Sequence, residues 1–196
     1  MNLPTYTDGI PRYDMQLYIA KRIARLCSLL LPDDGGIHVR FINADVKWGK
    51  LNADDVHKNM NFVTPKGNTR IGYNLDHKVL EPYVYRNLET GLAAPYLVCV
   101  FTDGYPQGED PHLFSQAVQK CAQILKQNGH GDNGKTIYTG CMVNHRKLLC
   151  WNVVVVSFVV CRIGNDDVSE RFLDELQHDY QLSKGSVFIC NSMCLY

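Results

Sequence analysis

Apolar positions divide the chain into segments of two periods. Between Asp14 and Leu31, Ile19, Ile23, Leu26 and Leu30 recur at helical spacing while Lys21, Arg22 and Arg25 fall largely elsewhere around the axis, which predicts an amphipathic helix. Pro32-Asp-Asp-Gly-Gly36 breaks it, and Ile37 to Ile42 alternates enough to predict a strand with one more polar face. Asn52 is placed to cap a short helix running through Asn59, because its side-chain oxygen accepts orphan amides and Asp54 and Asp55 favour the positive helix start. After the turn-rich loop Thr64-Pro-Lys-Gly-Asn-Thr69, the residues Ile71, Leu75, Val79 and Leu80 predict a second long helix to about Tyr85, with Pro82 as its kink or end.

The apolar run from Leu97 to Phe101 suits a strand covered on both faces, as in a parallel sheet flanked by helices. Pro111 fits the first turn of a third helix whose inner stripe is Phe114, Val118, Cys121, Ala122 and Leu125, and Asn128-Gly129 stops it. A second apolar strand spans Val153 to Cys161. A helix carrying Phe172, Leu173 and Leu176 follows, then a last strand over Val187 to Cys190. Alternation of this kind predicts a single α/β domain over residues 1–196: an open, mostly parallel, doubly wound Rossmann-like sheet with helices on both faces. In such sheets ligands sit outside the carboxyl ends of the strands, where Asp103 falls. A carboxylate ending a buried strand is costly unless something positive or hydrogen-bonding meets it.

Composition narrows the function classes. The 196 residues are enough to bury one substantial core, and 20 Lys plus Arg balance 20 Asp plus Glu, so no broad field draws the chain to nucleic acid or anionic lipid. The 8 cysteines are scattered, several within apolar runs, and do not form a secreted framework. No segment approaches the length of a membrane span and the first residues lack an export pattern, so a cytoplasmic location is expected.

Asp103 and Thr69 could bring two oxygen ligands to one point above the sheet, a donor set suited to a hard cation; as a plain turn, Thr102-Asp-Gly-Tyr105 would instead use Asp103 to cap loop amides. Thr64-Pro-Lys-Gly-Asn-Thr-Arg-Ile-Gly72, Val100-Phe-Thr-Asp-Gly-Tyr-Pro106 and Val159-Val-Cys-Arg-Ile-Gly-Asn-Asp166, followed by Phe172-Leu-Asp-Glu-Leu176, resemble in order and spacing a von Willebrand factor type A domain, from about Asp14 to Val187. The resemblance implies a protein-binding, adhesion-type module. In it a metal-ion-dependent adhesion site presents Mg²⁺ or Mn²⁺ to an acidic side chain of a protein partner, and Thr69 and Asp103 match the loop threonine and strand-end aspartate among the metal ligands. The family's first strand ends in Asp-x-Ser-x-Ser. Here Asp8 is followed by Gly9, Ile10, Pro11 and Arg12, so both serine positions are unfilled, the first strand is missing or degenerate, and the metal site is expected to be degenerate or incomplete.

The alternative function is a nucleotide-binding enzyme. Gly129-His-Gly-Asp-Asn-Gly-Lys-Thr136 satisfies the phosphate-loop pattern, which aims amides and a lysine at the phosphates, and the enzyme would use Lys135 and Thr136. Its context is inverted, because a helix precedes the loop and no clear helix follows. Residues from about 129 to 152 read as a poorly patterned insertion; Cys141, His145 and Cys150 there lack a recognised zinc spacing. His112 lies near Asp103 in sequence and reads as a solvated helix-start residue. No catalytic constellation emerges.

Overall fold

The N-terminal helix α1, Arg12–Leu30, buries Leu17, Ile19, Ala20 and Ala24, while Leu26 is exposed. In this computed structural model, residues 6–7, 10–30, 36–60, 63–64, 66–92, 95–130, 156–163, 167–178 and 187–190 are described. The inner stripe of α1 thus differs from the expected one. Alanines at positions 20 and 24 let the helix approach α2 (Ala53–Met60), whose Val56 and Met60 close the same cluster. The larger Leu26, about half a turn beyond Ala24, faces outward. Asn52 caps α2 as its position predicts, its side-chain oxygen accepting from the amides of Asp54 at 2.9 Å and Asp55 at 3.0 Å.

Ahead of α1 lie two short strands, β1 (Tyr6–Thr7) and β2 (Ile10–Pro11), paired antiparallel. The strand β3, Ile37–Arg40, pairs antiparallel with β4, Lys47–Leu51. Lys-Trp-Gly-Lys-Leu shows little apolar alternation, which is why its strand is not visible in the pattern. Cross-strand contacts hold the hairpin: Arg40 donates to the carbonyl of Trp48 at 2.7 Å while also bonding that of its neighbour Val39 at 2.7 Å, and Phe41 meets Trp48 edge to face at 5.3 Å.

A continuous helical rod follows. It begins as α3, Ile71–Asn74, widens to a π-helical segment over Leu75–Val84 and tightens to a 3₁₀ turn at Tyr85–Asn87. Pro82 sits inside the rod instead of ending it. The wider π coil relieves the clash and missing amide that a proline imposes on α-helical spacing. One side of the rod docks on the hairpin, where Lys78 Nζ donates to the carbonyls of Phe41, Ile42 and Ala44 at 2.9, 3.1 and 3.1 Å. Nearby, Arg40 lies 5.0 Å over the Tyr83 ring.

The other side packs on α4, Leu113–Gln127. The approach is closest at Gly72, where a side-chain carbon would fall 2.5 Å from the Phe114 amide nitrogen. The helix α4 stops as its sequence predicts: Gly129, at φ +82°, donates to the Lys126 carbonyl at 3.1 Å and His130 donates to that of Leu125 at 2.9 Å. These bonds place Gly129 and His130, the start of the phosphate-loop pattern, in a helix stop; Gly131 to Thr136 lie outside the described residues, as does the rest of the insertion to Asn152.

Strand β5, Tyr96–Thr102, pairs in parallel with β6, Val156–Arg162, and β6 pairs in parallel with β7, Val187–Cys190. Helix α5, Asp167–His178, connects β6 to the β7 side and buries Phe172, Leu173 and Leu176. The chain is therefore mixed α/β, with an N-terminal antiparallel pair, a separate antiparallel hairpin and a parallel sheet of order β5-β6-β7. Among the described residues β5 is an edge strand, and Leu97, expected to be covered, is 64% exposed. No described helix is long and apolar enough to cross a membrane.

Candidate functional site

The end of β5 is built by Thr102. Its side chain is buried, its carbonyl accepts from Ile163 N at 2.8 Å, and its hydroxyl donates to the Gly104 carbonyl at 3.0 Å while lying 3.3 Å from the Gly104 amide. These bonds turn the chain sharply just after the strand and lift Asp103 to the carboxyl rim of the sheet, as its place in the sequence predicts. What meets its charge is Arg12, the first residue of α1. The guanidinium Nη1 lies 3.8 Å from Asp103 Oδ2 and 3.5 Å from the Asp103 carbonyl, with the two side chains only 13% and 15% exposed. An arginine at a helix start opposes the positive end of the helix dipole, so the acid across the gap offsets a local cost.

Thr69 stands on the neighbouring loop and is half-buried. Its carbonyl accepts from Gln107 N at 3.0 Å, and a side-chain carbon at Gly108 would lie 2.6 Å from the side-chain Nδ2 of Asn68. The loops of Lys66–Arg70 and Asp103–Asp110 therefore share one rim. Asp103 and Thr69 belong to it by different bonds: the acid through Arg12, the threonine through its backbone to Gln107. No hydrogen bond joins Thr69 to Asp103 among the described residues.

Two acids that the motif does not contain hold the rim. The Glu109 carboxylate accepts from Gly72 N at 2.8 Å and Tyr73 N at 3.0 Å, satisfying the first amides of the rod from 37 and 36 residues away. Asp110 Oδ1 accepts from His112 N at 2.8 Å and so starts α4, leaving the His112 side chain exposed, as its reading as a solvated helix-start residue implies. Tyr105 anchors the far end, donating to Glu175 Oε2 at 2.8 Å and meeting Phe172 edge to face at 5.8 Å. That hydrogen bond, before burial and the charges of Glu175 and Asp110, holds the Tyr105 phenol above its ordinary pKa.

Beside the Lys66–Arg70 loop lies an open cleft of about 490 Å³ lined by Asn43, Asp45, Asn68, Arg70, Tyr73 and Lys78, among others. Lys78 donates to three backbone carbonyls there and lies 3.5 Å from Asp45 Oδ1, and Arg70 is exposed.

Arg12 and Glu109 are the rim residues that pattern reading missed. Their partners lie 91 and 37 residues away, and the only local sign is an arginine standing where the type A pattern has its second serine. The residues present do not fit a resident Mg²⁺ or Mn²⁺ as they stand. A divalent ion wants near-octahedral oxygen coordination, whereas here a guanidinium faces the carboxylate. Among the described residues no cluster of three or more His, Cys, Asp or Glu side chains could hold a metal. Cys141, His145, Cys150, Lys135 and Thr136 lie outside the described residues. No protein-family model, curated protein or solved structure matches the chain.

Proposed function

We propose that the chain is a protein-interaction module of the von Willebrand factor type A class, with a degenerate metal-ion-dependent adhesion site at the carboxyl rim of β5. In this reading β3-β4 and β5-β6-β7 are the two halves of one doubly wound sheet, short of a first strand. The observation that carries it is the Gln107-to-Thr69 hydrogen bond of 3.0 Å, which joins the loop bearing the candidate threonine to the loop following the candidate aspartate. Thr69 and Asp103 are the oxygen donors that a cation would use at that rim. The partner is a protein that offers an acidic side chain, and its specificity lies in Lys66–Arg70 and Tyr105–Pro111.

Photo-crosslinking tests the reading. A photoreactive residue at Asn68 or Gln107 should capture one partner in cells, and the same residue at Glu89, in the turn after the rod, should not. Equal capture from all three positions would defeat the proposal. The competing nucleotide-binding enzyme is tested on the same protein: an ATP-induced rise in melting temperature that Lys135→Ala abolishes would replace the adhesion reading.

A further inference from the structure

We infer that Arg12 is a tethered cation that takes the place of a divalent ion at the rim, so that Asp103 is neutralised by the chain itself and the rim engages its partner without metal. The inference rests on the proposed reading of the rim as a binding edge. Three observations carry it.

First, the geometry places the charge. Arg12 Nη1 is 3.8 Å from the Asp103 carboxylate and 3.5 Å from the Asp103 carbonyl, so one nitrogen addresses both the oxygens that the strand end presents. Secondly, exposures of 13% and 15% shield both groups from bulk water, and a shielded ion pair attracts more strongly than one at an open surface. Thirdly, the arginine is fixed at its root. Residue 12 opens α1, and the next residue, Tyr13, donates through its hydroxyl to the Met60 carbonyl of α2, so the helix start is held against a second element.

A dication entering the rim would have to displace the guanidinium or sit beside a like charge. Arginine suits the substituted role because it stays charged at every physiological pH. A partner carboxylate arriving at the rim would meet an acid whose charge is already balanced, so no bound ion is needed to bring the two acids together.

The test is thermal unfolding of the full chain in chelator, MgCl₂ or MnCl₂ at matched ionic strength, for the natural protein and for Arg12→Ser, Arg12→Lys and Arg12→Ser/Asp103→Asn. The natural protein and Arg12→Lys should show no cation-induced shift. Arg12→Ser should melt lower in chelator and regain part of the loss, a shift of about 1–2 °C, in Mn²⁺, because the ion replaces the missing charge; the double variant should not respond. A Mn²⁺ shift of the natural protein that Asp103→Asn abolishes would overturn the inference while leaving an adhesion-type rim in place. Arg12→Ser melting as the natural protein does, or ignoring Mn²⁺, would also overturn it. If Arg12→Ser fails to fold, Arg12→Gln is read in its place, and a loss of melting temperature in chelator that Mn²⁺ does not restore overturns the inference. Loss of specific crosslinking, by contrast, would remove the binding role and leave the charge substitution standing.

Discussion

The two hydrophobic clusters among the described residues are held together in different ways. Around the parallel sheet, large side chains meet: Phe114, Phe158, Phe172, Leu80 and Val84 are almost wholly buried with Val156 and Val160 of the central strand. Around the hairpin the buried residues are Leu17, Ala20, Ala24, Leu51, Val56 and Met60, and much of the cohesion comes from cations on carbonyls, Lys78 and Arg40 above all. The rod of Ile71–Asn87 touches both. Burial of bulky apolar groups is non-directional and tolerates rearrangement, whereas a hydrogen-bonded clamp holds only in one geometry. The candidate rim lies where these two regimes meet, on loops fixed to the rod by Glu109 and to α5 by Tyr105.

Truncating the aromatic cluster should have the largest effect. Phe172→Ala removes a ring that packs on both Phe114 and Tyr105, and should cost about 3–5 kcal/mol in denaturant unfolding. A cost near that of an exposed residue would mean that the parallel sheet does not carry the fold. Gly72→Ala comes next, because the added carbon would strike the backbone of Leu113 and Phe114 at 2.6 and 2.5 Å; about 1–3 kcal/mol is expected, with the Glu109 cap disturbed as well. Full retention of stability would show that the rod and α4 are further apart than described.

Alkali should act on the aromatic cluster selectively. Burial first, then the charge of Asp76, pushes the Cys121 thiol from 9.0 up to about 12, against a hydrogen bond from Tyr85 that lowers it. Burial also raises the Tyr85 phenol well above 10.0. An unfolded chain releases these protons earlier than the folded one, so their contribution is fully present below pH 9 and is lost as pH climbs toward the folded value. The thiol's share is about 1.4 kcal/mol per pH unit. Unfolding at pH 8 to 10.5 should show this loss, and Cys121→Ala should flatten its slope; an unchanged slope would remove the thiol from the account. The smallest effect belongs to the hairpin side, where Asn52→Ala removes a cap bonded to two amides and should cost about 1 kcal/mol, seen as a lower urea midpoint with no change in slope.

What the sequence reveals of this structure depends on the range of the interaction. The Asn52 cap and the Asn128-Gly129 stop lie within a few residues of what they satisfy, and both are legible. The β5 and β6 strands announce themselves by apolar runs, and Asp103 by the abrupt end of one. The partner of Asp103 does not, because 91 residues separate it from Arg12 and nothing in local periodicity couples them. The edge position that β5 holds among the described residues is equally hidden: an all-apolar run reads as an interior strand, yet β6 takes that place and Leu97 is left facing outward. Pro82 misleads in the other direction, since a helix can widen around it.

If Arg12 and Asp103 act as one unit at the rim, their substitutions are coupled. A double-mutant cycle of Arg12→Gln and Asp103→Asn, read by urea unfolding near neutral pH, measures that coupling directly. A shielded pair of this kind should show a coupling of about 1–2 kcal/mol that resists added salt. Additive losses, with no coupling beyond error, would contradict the account.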